Sequence, residues 1–231
     1  INNQWGNFGS VGIGWNFSEE KWFESWKTFF NQGKLRVSYG TNGNRDFSSD
    51  IYATLAKLQT GNVMVYPGYP SGGNTVVQSL VVSNLAAPNL MWEKTKSWNV
   101  GIDFGFFNYR LRGSIDWYYK DTNDMVLQQR LPSFTGFSNT FTNLGQVTNT
   151  GVEIALNSVN IDNRDFTWST SMGFSYNKNT IKHIYYDYDE NGKELDDTSN
   201  GWYIGHPIGE IWYYETDGVW QNTPEDIKEA A

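Results

Sequence analysis

The sequence predicts an all-β protein that forms part of a large antiparallel transmembrane β-barrel, with roughly eight to ten strands of a larger barrel. Three observations lead to this fold class. Apolar and polar residues alternate with a period of two in many segments. The clearest segments run for about 9 to 13 residues, longer than the roughly 5 to 6 residues of a globular strand and near the length of a tilted transmembrane strand. Short turns also alternate with long connections along the chain.

The alternation is clearest at residues 166–176. One predicted face of this strand carries large apolar and aromatic residues: Phe166, Trp168, Met172, Phe174 and Tyr176. The other face carries Thr, Ser and Gly. The same period predicts strands in six further segments: residues 11–17, 35–39, 98–105, 110–120, 125–131 and 152–160.

The connections predict the orientation of the strands. Two tight turns, at residues 106–109 and 162–164, join neighbouring strands. Three long connections, rich in Asn, Gly, Thr and Tyr, fall at residues 41–91, 121–148 and 178–209. In outer-membrane barrels the short turns face the periplasm and the long loops face outside. We therefore expect short periplasmic turns and long extracellular loops.

Composition narrows the classes of function. Aromatic residues make up 17% of the chain, and the mean hydropathy of −0.57 gives no sign of an apolar spanning helix. The absence of Cys excludes a disulfide scaffold, a zinc ribbon and a thiol nucleophile. A net charge of −8 disfavours a nucleic-acid partner. The start at Ile1 and the end at Ala231 suggest a piece of a longer protein.

One helix is predicted to begin at Ser18, which caps it ahead of Glu19 and Glu20. Its apolar stripe has helical spacing: Trp22, Phe23, Trp26, Phe29 and Phe30. Such a stripe suits either the membrane interface, where Trp is favoured, or packing at a barrel rim. The sequence leaves both interpretations open.

Several motifs occur in one order along the chain. They are KLRVSYGTNGN at 34–44, NLMWEKT at 89–95, WNVGIDF at 98–104, GSIDWYYK at 113–120, NLGQVTNTGVE at 143–153, FSYNKN at 174–179 and GHPIG at 205–209. This ordered set resembles the barrel region of SusC/RagA-like TonB-dependent outer-membrane transporters of the Bacteroidetes type. The motif residues are interpreted as structural, since Asn-Gly pairs form turns and Trp marks a membrane interface.

The resemblance implies a partial TonB-dependent receptor β-barrel domain over residues 1–231, without the plug domain and closing strands of a barrel of about 22 strands. It implies TonB-dependent import of oligosaccharides or peptides across the outer membrane of a Gram-negative cell. It also implies TonB and a SusD-like surface lipoprotein as partners, the lipid bilayer as surroundings, and no enzymatic activity.

Candidate ligand-binding residues are aromatic side chains in the predicted outside segments, which offer stacking faces to sugars or peptides. They are Tyr66, Tyr69, Trp202, Tyr203, Trp212 and Tyr213. Packing within the loops is the competing interpretation. Four charged strand residues are predicted to line the lumen, where they form salt bridges or tune selectivity: Arg36, Asp103, Arg112 and Asp116.

Calcium is the one metal that a motif suggests. Asp187, Asp189 and Asn191 stand at the first, third and fifth places of a D-x-D-x-[DN]-G loop. The twelfth place holds Thr198 rather than the expected Glu, and a polar hairpin turn is the favoured interpretation of the segment. The two histidines lie in no metal-binding motif. No cofactor is predicted apart from this calcium.

Two rival functions fit the same strands. A soluble or surface-attached β-sandwich would stack glycans on Trp and Tyr, and a β-rich glycan hydrolase would add a carboxylate pair that no motif indicates. The aromatic face of residues 166–176 distinguishes the barrel from the sandwich. A sandwich buries this face against a second sheet, whereas a barrel turns it toward lipid.

Overall fold

The computed structural model describes residues 5–44, 54–67, 74–211 and 213. The described strands are β1 Ser10–Trp15, β2 Phe30–Asn44, β3 Lys57–Pro67, β4 Asn74–Asn84, β5 Glu93–Phe106, β6 Leu111–Arg130, β7 Asn139–Asp162 and β8 Thr167–His183. They form a six-stranded antiparallel sheet, in the order β1-β2-β5-β6-β7-β8, and a separate β3-β4 hairpin. Three 3₁₀ helices lie at Phe17–Glu19, Lys21–Trp26 and Ser133–Thr135.

The register of the six strands produces one apolar face. Directly paired residues point to the same side of a sheet, so apolar residues form rows across all six strands. One row is Ile13, Val37, Val100, Trp117, Val152 and Tyr176. The next row is Trp15, Leu35, Ile102, Ile115, Ile154 and Phe174. We call this side the apolar face.

The opposite side is polar. The row between the two apolar rows consists of Gly14, Arg36, Gly101, Asp116, Glu153 and Ser175. A one-residue slip of any strand would exchange the two sides, so the matching rows on all six strands fix the register. We call this side the polar face.

No second sheet covers the apolar face within the described part of the chain. Phe174 is 57% exposed and Trp117 is 42% exposed, although both are large and apolar. A β-sandwich buries such residues between two layers about 10 Å apart. The sandwich alternative is therefore wrong for the described residues.

The two ends of the sheet differ, as predicted. Residues 107–110 and 163–166 join strands at one end, which we call the turn end; the opposite end is the loop end. The predicted loop at 121–148 is wrong in detail, because β6 and β7 continue as a paired hairpin of 20 and 24 residues. The alternation at Met125 and Leu127 extends the strand pattern and accounts for this. Residues 41–91 likewise contain β3 and β4.

The helix predicted from Ser18 to Phe30 is wrong in type and length. The segment forms two short 3₁₀ helices, neither with a side-chain cap, and Phe30 already begins β2. Tertiary packing explains the difference, since Phe30 stacks on Phe106 at 4.5 Å while Phe23 is buried beside it. Among the described residues, no helix is long and apolar enough to cross a bilayer.

Candidate functional site: the polar face and the loop end

A charge cluster lies on the polar face where β2, β5 and β6 are adjacent. The Arg36 guanidinium donates from Nε and Nη2 to both carboxylate oxygens of Asp103, each at 2.9 Å. Its Nη2 also donates to Asp116 Oδ1 at 2.9 Å. Each of the three side chains is at most about one-third exposed, so solvent screens these charge-assisted bonds less than it screens surface pairs. Three of the predicted lumen residues are thus brought together.

Gly101 provides the space for this cluster. A Cβ at this position would overlap the Asp116 carboxylate and lie 2.8 Å from Arg36 Nη2. The side chains therefore lie flat against the backbone of β5. Arg112, the fourth predicted residue, is exposed on the same face nearer the turn end, opposite Gly105. It does not join the cluster.

Side chains of two motif residues hydrogen-bond to neighbouring segments at the loop end. Glu93 accepts hydrogen bonds from Asn44 Nδ2 at 2.8 Å and from Val126 N at 3.0 Å. Asn143 accepts from Met91 N at 2.7 Å and donates to Met91 O at 3.0 Å. The motifs at 89–95 and 143–153 therefore meet in space and act structurally, as expected. Sequence spacing alone does not indicate the hydrogen-bond partners of Glu93 or Asn143.

Residues 184–206 fold back onto the polar face at the loop end. Val147 and Ile181 pair in register on this face, and with Ile184, which is 1% exposed, they form a buried apolar cluster. Backbone bonds from Ile181 N to His206 O and from Gly205 N to Ile181 O, both 2.9 Å, close the segment against β8. Five further side chains pack around the cluster: Met125, Leu127, Tyr185, Trp202 and Ile204.

A buried carboxylate holds the start of this segment. Glu194 Oε1 accepts from the backbone N–H groups of Ile184 at 2.8 Å and Tyr186 at 3.0 Å. Its Oε2 lies 2.6 Å from His183 Nδ1. Burial raises the pKa of Glu194, but hydrogen bonds from Ile184, His183 and Tyr186 outweigh burial and place the pKa below its ordinary 4.5. The ionised form therefore stabilises the folded segment.

Replacing this carboxylate tests that role. Glu194→Ala leaves two backbone N–H groups unpaired, which costs about 1–3 kcal/mol and is expected to speed amide exchange in residues 184–196 roughly 5- to 150-fold. Exposed Glu190→Ala in the neighbouring turn is the matched control and should leave exchange unchanged. Hydrogen-exchange mass spectrometry of the full-length protein provides the measurement. Equal exchange in both variants would contradict the role of Glu194.

The same contact predicts a dependence on pH. Because the folded pKa of Glu194 is lowered, its stabilising contribution is fully present above pH 4.5 and is lost as pH falls through the lower folded value. Protection of residues 184–196 should therefore be constant near neutrality and decrease in acid. After correction for the intrinsic exchange rate, Glu194→Ala should abolish this contribution to the acid dependence.

Tyr185 and a second carboxylate, Asp197, stabilise the segment and attach it to β6. The Tyr185 hydroxyl lies 2.9 Å from Asp197 Oδ2 and 3.1 Å from the backbone oxygen of Gln128. Burial and the bond to Asp197 raise the pKa of Tyr185 to about 12. Asp197 also accepts from the backbone N–H groups of Ser199 and Asn200, each at 3.1 Å. The Tyr185 hydroxyl thus joins the segment to the β6–β7 hairpin.

The predicted calcium loop forms a tight turn. Asp189 Oδ1 accepts from the backbone N–H groups of Asn191 at 2.9 Å and Lys193 at 2.8 Å, while Gly192 takes a positive φ of 77°. Nearby Asp196 accepts from Ile204 N at 2.7 Å. No group of three or more His, Asp or Glu side chains that would hold a metal ion occurs in the described ranges. Calcium binding by Asp187, Asp189 and Asn191 stays a prediction.

A cavity of about 520 Å³ opens at the loop end between the β6–β7 hairpin and residues 200–202. Its lining combines hydrogen-bonding groups with two aromatic rings and two aliphatic side chains: Gln128, Arg130, Asn139, Asn200, Phe141, Trp202, Val126 and Leu127. The structure thus places Trp202 at a concave surface with polar groups. The other lining residues were not among the candidates chosen from the sequence. A cavity of this composition suits a hydrogen-bonding ligand with a face for stacking.

Among the described side chains, the aromatic candidates Tyr203 and Tyr213 do not line this cavity. Tyr203 lies beside His206, with ring centroids 6.1 Å apart, and Tyr213 is 87% exposed. Tyr66 lies in β3, for which the backbone is described. Tyr69 and Trp212 lie outside the described residues. Their role in binding stays a prediction.

Comparisons with known proteins agree with this geometry. A family model described as "TonB dependent receptor-like, beta-barrel" matches residues 1–223. TonB-dependent receptor P3 of Formosa agariphila is 35% identical over 97% of this chain and 22% of its own length. TonB-dependent receptor SusC of Bacteroides thetaiotaomicron is 35% identical over 78% of this chain and 17% of its own length.

The solved structure of the RagAB peptide transporter is also similar. It matches with a TM-score of 0.73 and 30% identity, over 90% of this chain and 21% of the matched chain. This chain spans about a fifth of the length of these relatives. The open sheet, with one apolar and one polar face, is accordingly part of a barrel. The chain belongs to the SusC/RagA-like branch of the TonB-dependent receptor β-barrel family.

Proposed function

We propose that the chain is a wall segment of an outer-membrane barrel that imports nutrients, either oligosaccharides or peptides, with energy from TonB and with a SusD-like lipoprotein partner. The proposal assigns it no catalytic role. The observation that carries it is an apolar face that no second sheet covers among the described residues, opposite a polar face that contains the Arg36 cluster. A bilayer covers such an apolar face while the polar face lines a lumen.

The dimensions of the apolar face support this assignment. From Trp98 to Phe106 the rise along β5 is about 27 Å at 3.4 Å per residue, which strand tilt reduces toward the roughly 25 Å band of a membrane barrel. Aromatic rings lie at both limits of this band. Trp98 packs on Tyr39 with ring centroids 4.7 Å apart at the loop end, and Phe106 stacks on Phe30 at the turn end. Aromatic girdles at both interfaces are typical of such barrels.

The ligand is proposed to contact the cavity at the loop end. Trp202 would stack on a sugar ring or peptide group, while Arg130 and Asn139 would hydrogen-bond to it. The similar proteins include SusC of Bacteroides thetaiotaomicron and the RagAB peptide transporter. Both sugars and peptides are polar, hydrogen-bonding molecules that suit this lining.

Uptake by the full-length protein tests the function. Cells that carry it should accumulate labelled oligosaccharide or labelled peptide, and accumulation should stop when a protonophore removes the energy that TonB transmits. Trp202→Ala should lower uptake. Phe134→Ala should not, because Phe134 is 89% exposed at the tip of the β6–β7 hairpin, outside the cavity lining. Recovery of the protein in the soluble fraction, or unchanged uptake with the protonophore, would contradict the proposal.

A further inference from the structure

One connection at the turn end is not a simple turn. Residues 107–110 and 163–166 join their strands tightly, whereas β1 and β2 are joined by the longer segment 16–29 with two 3₁₀ helices. This segment is rich in aromatic residues: Phe17, Trp22, Phe23, Trp26 and Phe29. We call residues 16–29 the aromatic foot.

The foot folds back onto the apolar face. Phe17 covers Gly33, where a Cβ would overlap its ring, and Gly33 pairs with Phe104 on that face. Phe23 is buried between Phe17, at 5.5 Å between ring centroids, and Phe30, at 5.1 Å. Packing therefore fixes the foot against the sheet on its apolar side.

The outer surface of the foot remains exposed. Trp22 is 61% exposed and Trp26 is 63% exposed, while Phe29 contacts Phe107 of the neighbouring turn at 4.6 Å between ring centroids. The Trp22 ring lies 6.4 Å from the ring of Trp15 on the apolar face, so Trp22 and Phe29 are continuous with the turn end of that face. An exposed aromatic patch of this kind on a fixed scaffold indicates a covering partner.

The charges of the foot indicate which partner. The foot contains two basic and three acidic residues: Lys21, Lys27, Glu19, Glu20 and Glu24. Lys27 Nζ lies 3.5 Å from Glu19 Oε2. With three Glu and two Lys, the foot lacks the basic excess that anionic lipids or nucleic acids select. Trp rings at the edge of an apolar band, interleaved with both signs of charge, match the boundary between acyl chains and zwitterionic headgroups.

We propose that the aromatic foot is a membrane-surface element whose Trp22 and Trp26 rings insert into the headgroup boundary of the phospholipid leaflet facing the periplasm. The inference rests on the proposed membrane orientation of the barrel. Phospholipid, rather than a periplasmic protein, is the occupant, since the lipid-facing surface continues directly into the foot.

Spin labels on the full-length protein in phosphatidylcholine vesicles test the inference. A label at Trp26→Cys is compared with one at Met172→Cys, on the apolar face, and one at Asn163→Cys, in the β7–β8 turn. The ratio of oxygen to nickel-chelate accessibility should be highest at 172, lowest at 163 and intermediate at 26. Trp26 makes no ring contact among the described residues, so its replacement should leave the fold intact.

The reference labels separate the two proposals. If the label at 172 does not report lipid, the membrane orientation fails. If the label at position 172 reports lipid while the label at position 26 matches the one at position 163, the foot lies in water. In that case the inference fails while the membrane orientation stands. If neither oxygen nor the nickel chelate reaches the label at position 26, the foot contacts protein, and this result also overturns the inference.

Discussion

Replacing Phe174 with Arg is expected to destabilise the folded barrel by about 2–4 kcal/mol, the cost of an arginine at the centre of the lipid-facing band. Phe174 belongs to the middle apolar row, which also contains Ile102, Ile115 and Ile154. A guanidinium there has no water in the acyl region, so it must reach the interface or distort the bilayer.

Ser175→Arg is the matched control. It introduces the same side chain one residue along the same strand, but on the polar face. Water in the lumen solvates the guanidinium, so the change in stability should stay within about 0.5 kcal/mol. The midpoint of urea unfolding in lipid vesicles, with the folded fraction read from gel mobility, measures both variants. Equal destabilisation by both would contradict the assignment of the two faces.

Arg36→Ala is expected to lower the free energy of unfolding by about 1–3 kcal/mol, because Asp103 and Asp116 then face each other without a cation. Partial solvent exposure keeps the loss below that of a fully buried pair. Arg112→Ala removes an exposed charge from the same face outside the cluster and should have little effect. Urea unfolding of the full-length protein in vesicles provides the measurement.

A second substitution separates charge repulsion from lost packing. Asp116→Asn in the Arg36→Ala background removes one of the two unpaired carboxylates and should recover part of the lost stability. The stabilities of the wild type, Arg36→Ala, Asp116→Asn and the double variant form a double-mutant cycle, which isolates the coupling between Arg36 and Asp116. A coupling near zero would show that the cluster does not stabilise the wall.

Some structural features follow from local pattern. The alternation at residues 166–176 predicted β8 and its two faces, and the tight turns at 106–109 and 162–164 were correctly located. Period-two patterning specifies such features because each residue on a strand has a fixed side. The long connections were less predictable. The sequence did not show that β6 and β7 remain paired across 121–148, since hairpin pairing depends on contacts between distant residues.

The candidate sites divide in the same way. Arg36, Asp103, Arg112 and Asp116 were predicted from strand parity to share one polar face, and a lumen-lining role for them stays a prediction. The sharing of Arg36 between two carboxylates depends on the register of three strands and on the missing side chain of Gly101. The roles of Glu194 and Asn143 had no sequence signal. Asn143 satisfies backbone groups of Met91, 52 residues away, and Glu194 satisfies backbone groups 8 and 10 residues before it; no spacing rule encodes such partners.

The sequence by itself determined the fold class, the two faces and the family resemblance, because alternation and motif order are properties of the linear chain. Tertiary structure alone decided that Phe30 leaves the predicted helix for β2, that Phe17 covers Gly33, and that residues 184–206 fold onto the polar face. In each case side-chain packing between distant segments outweighs local propensity.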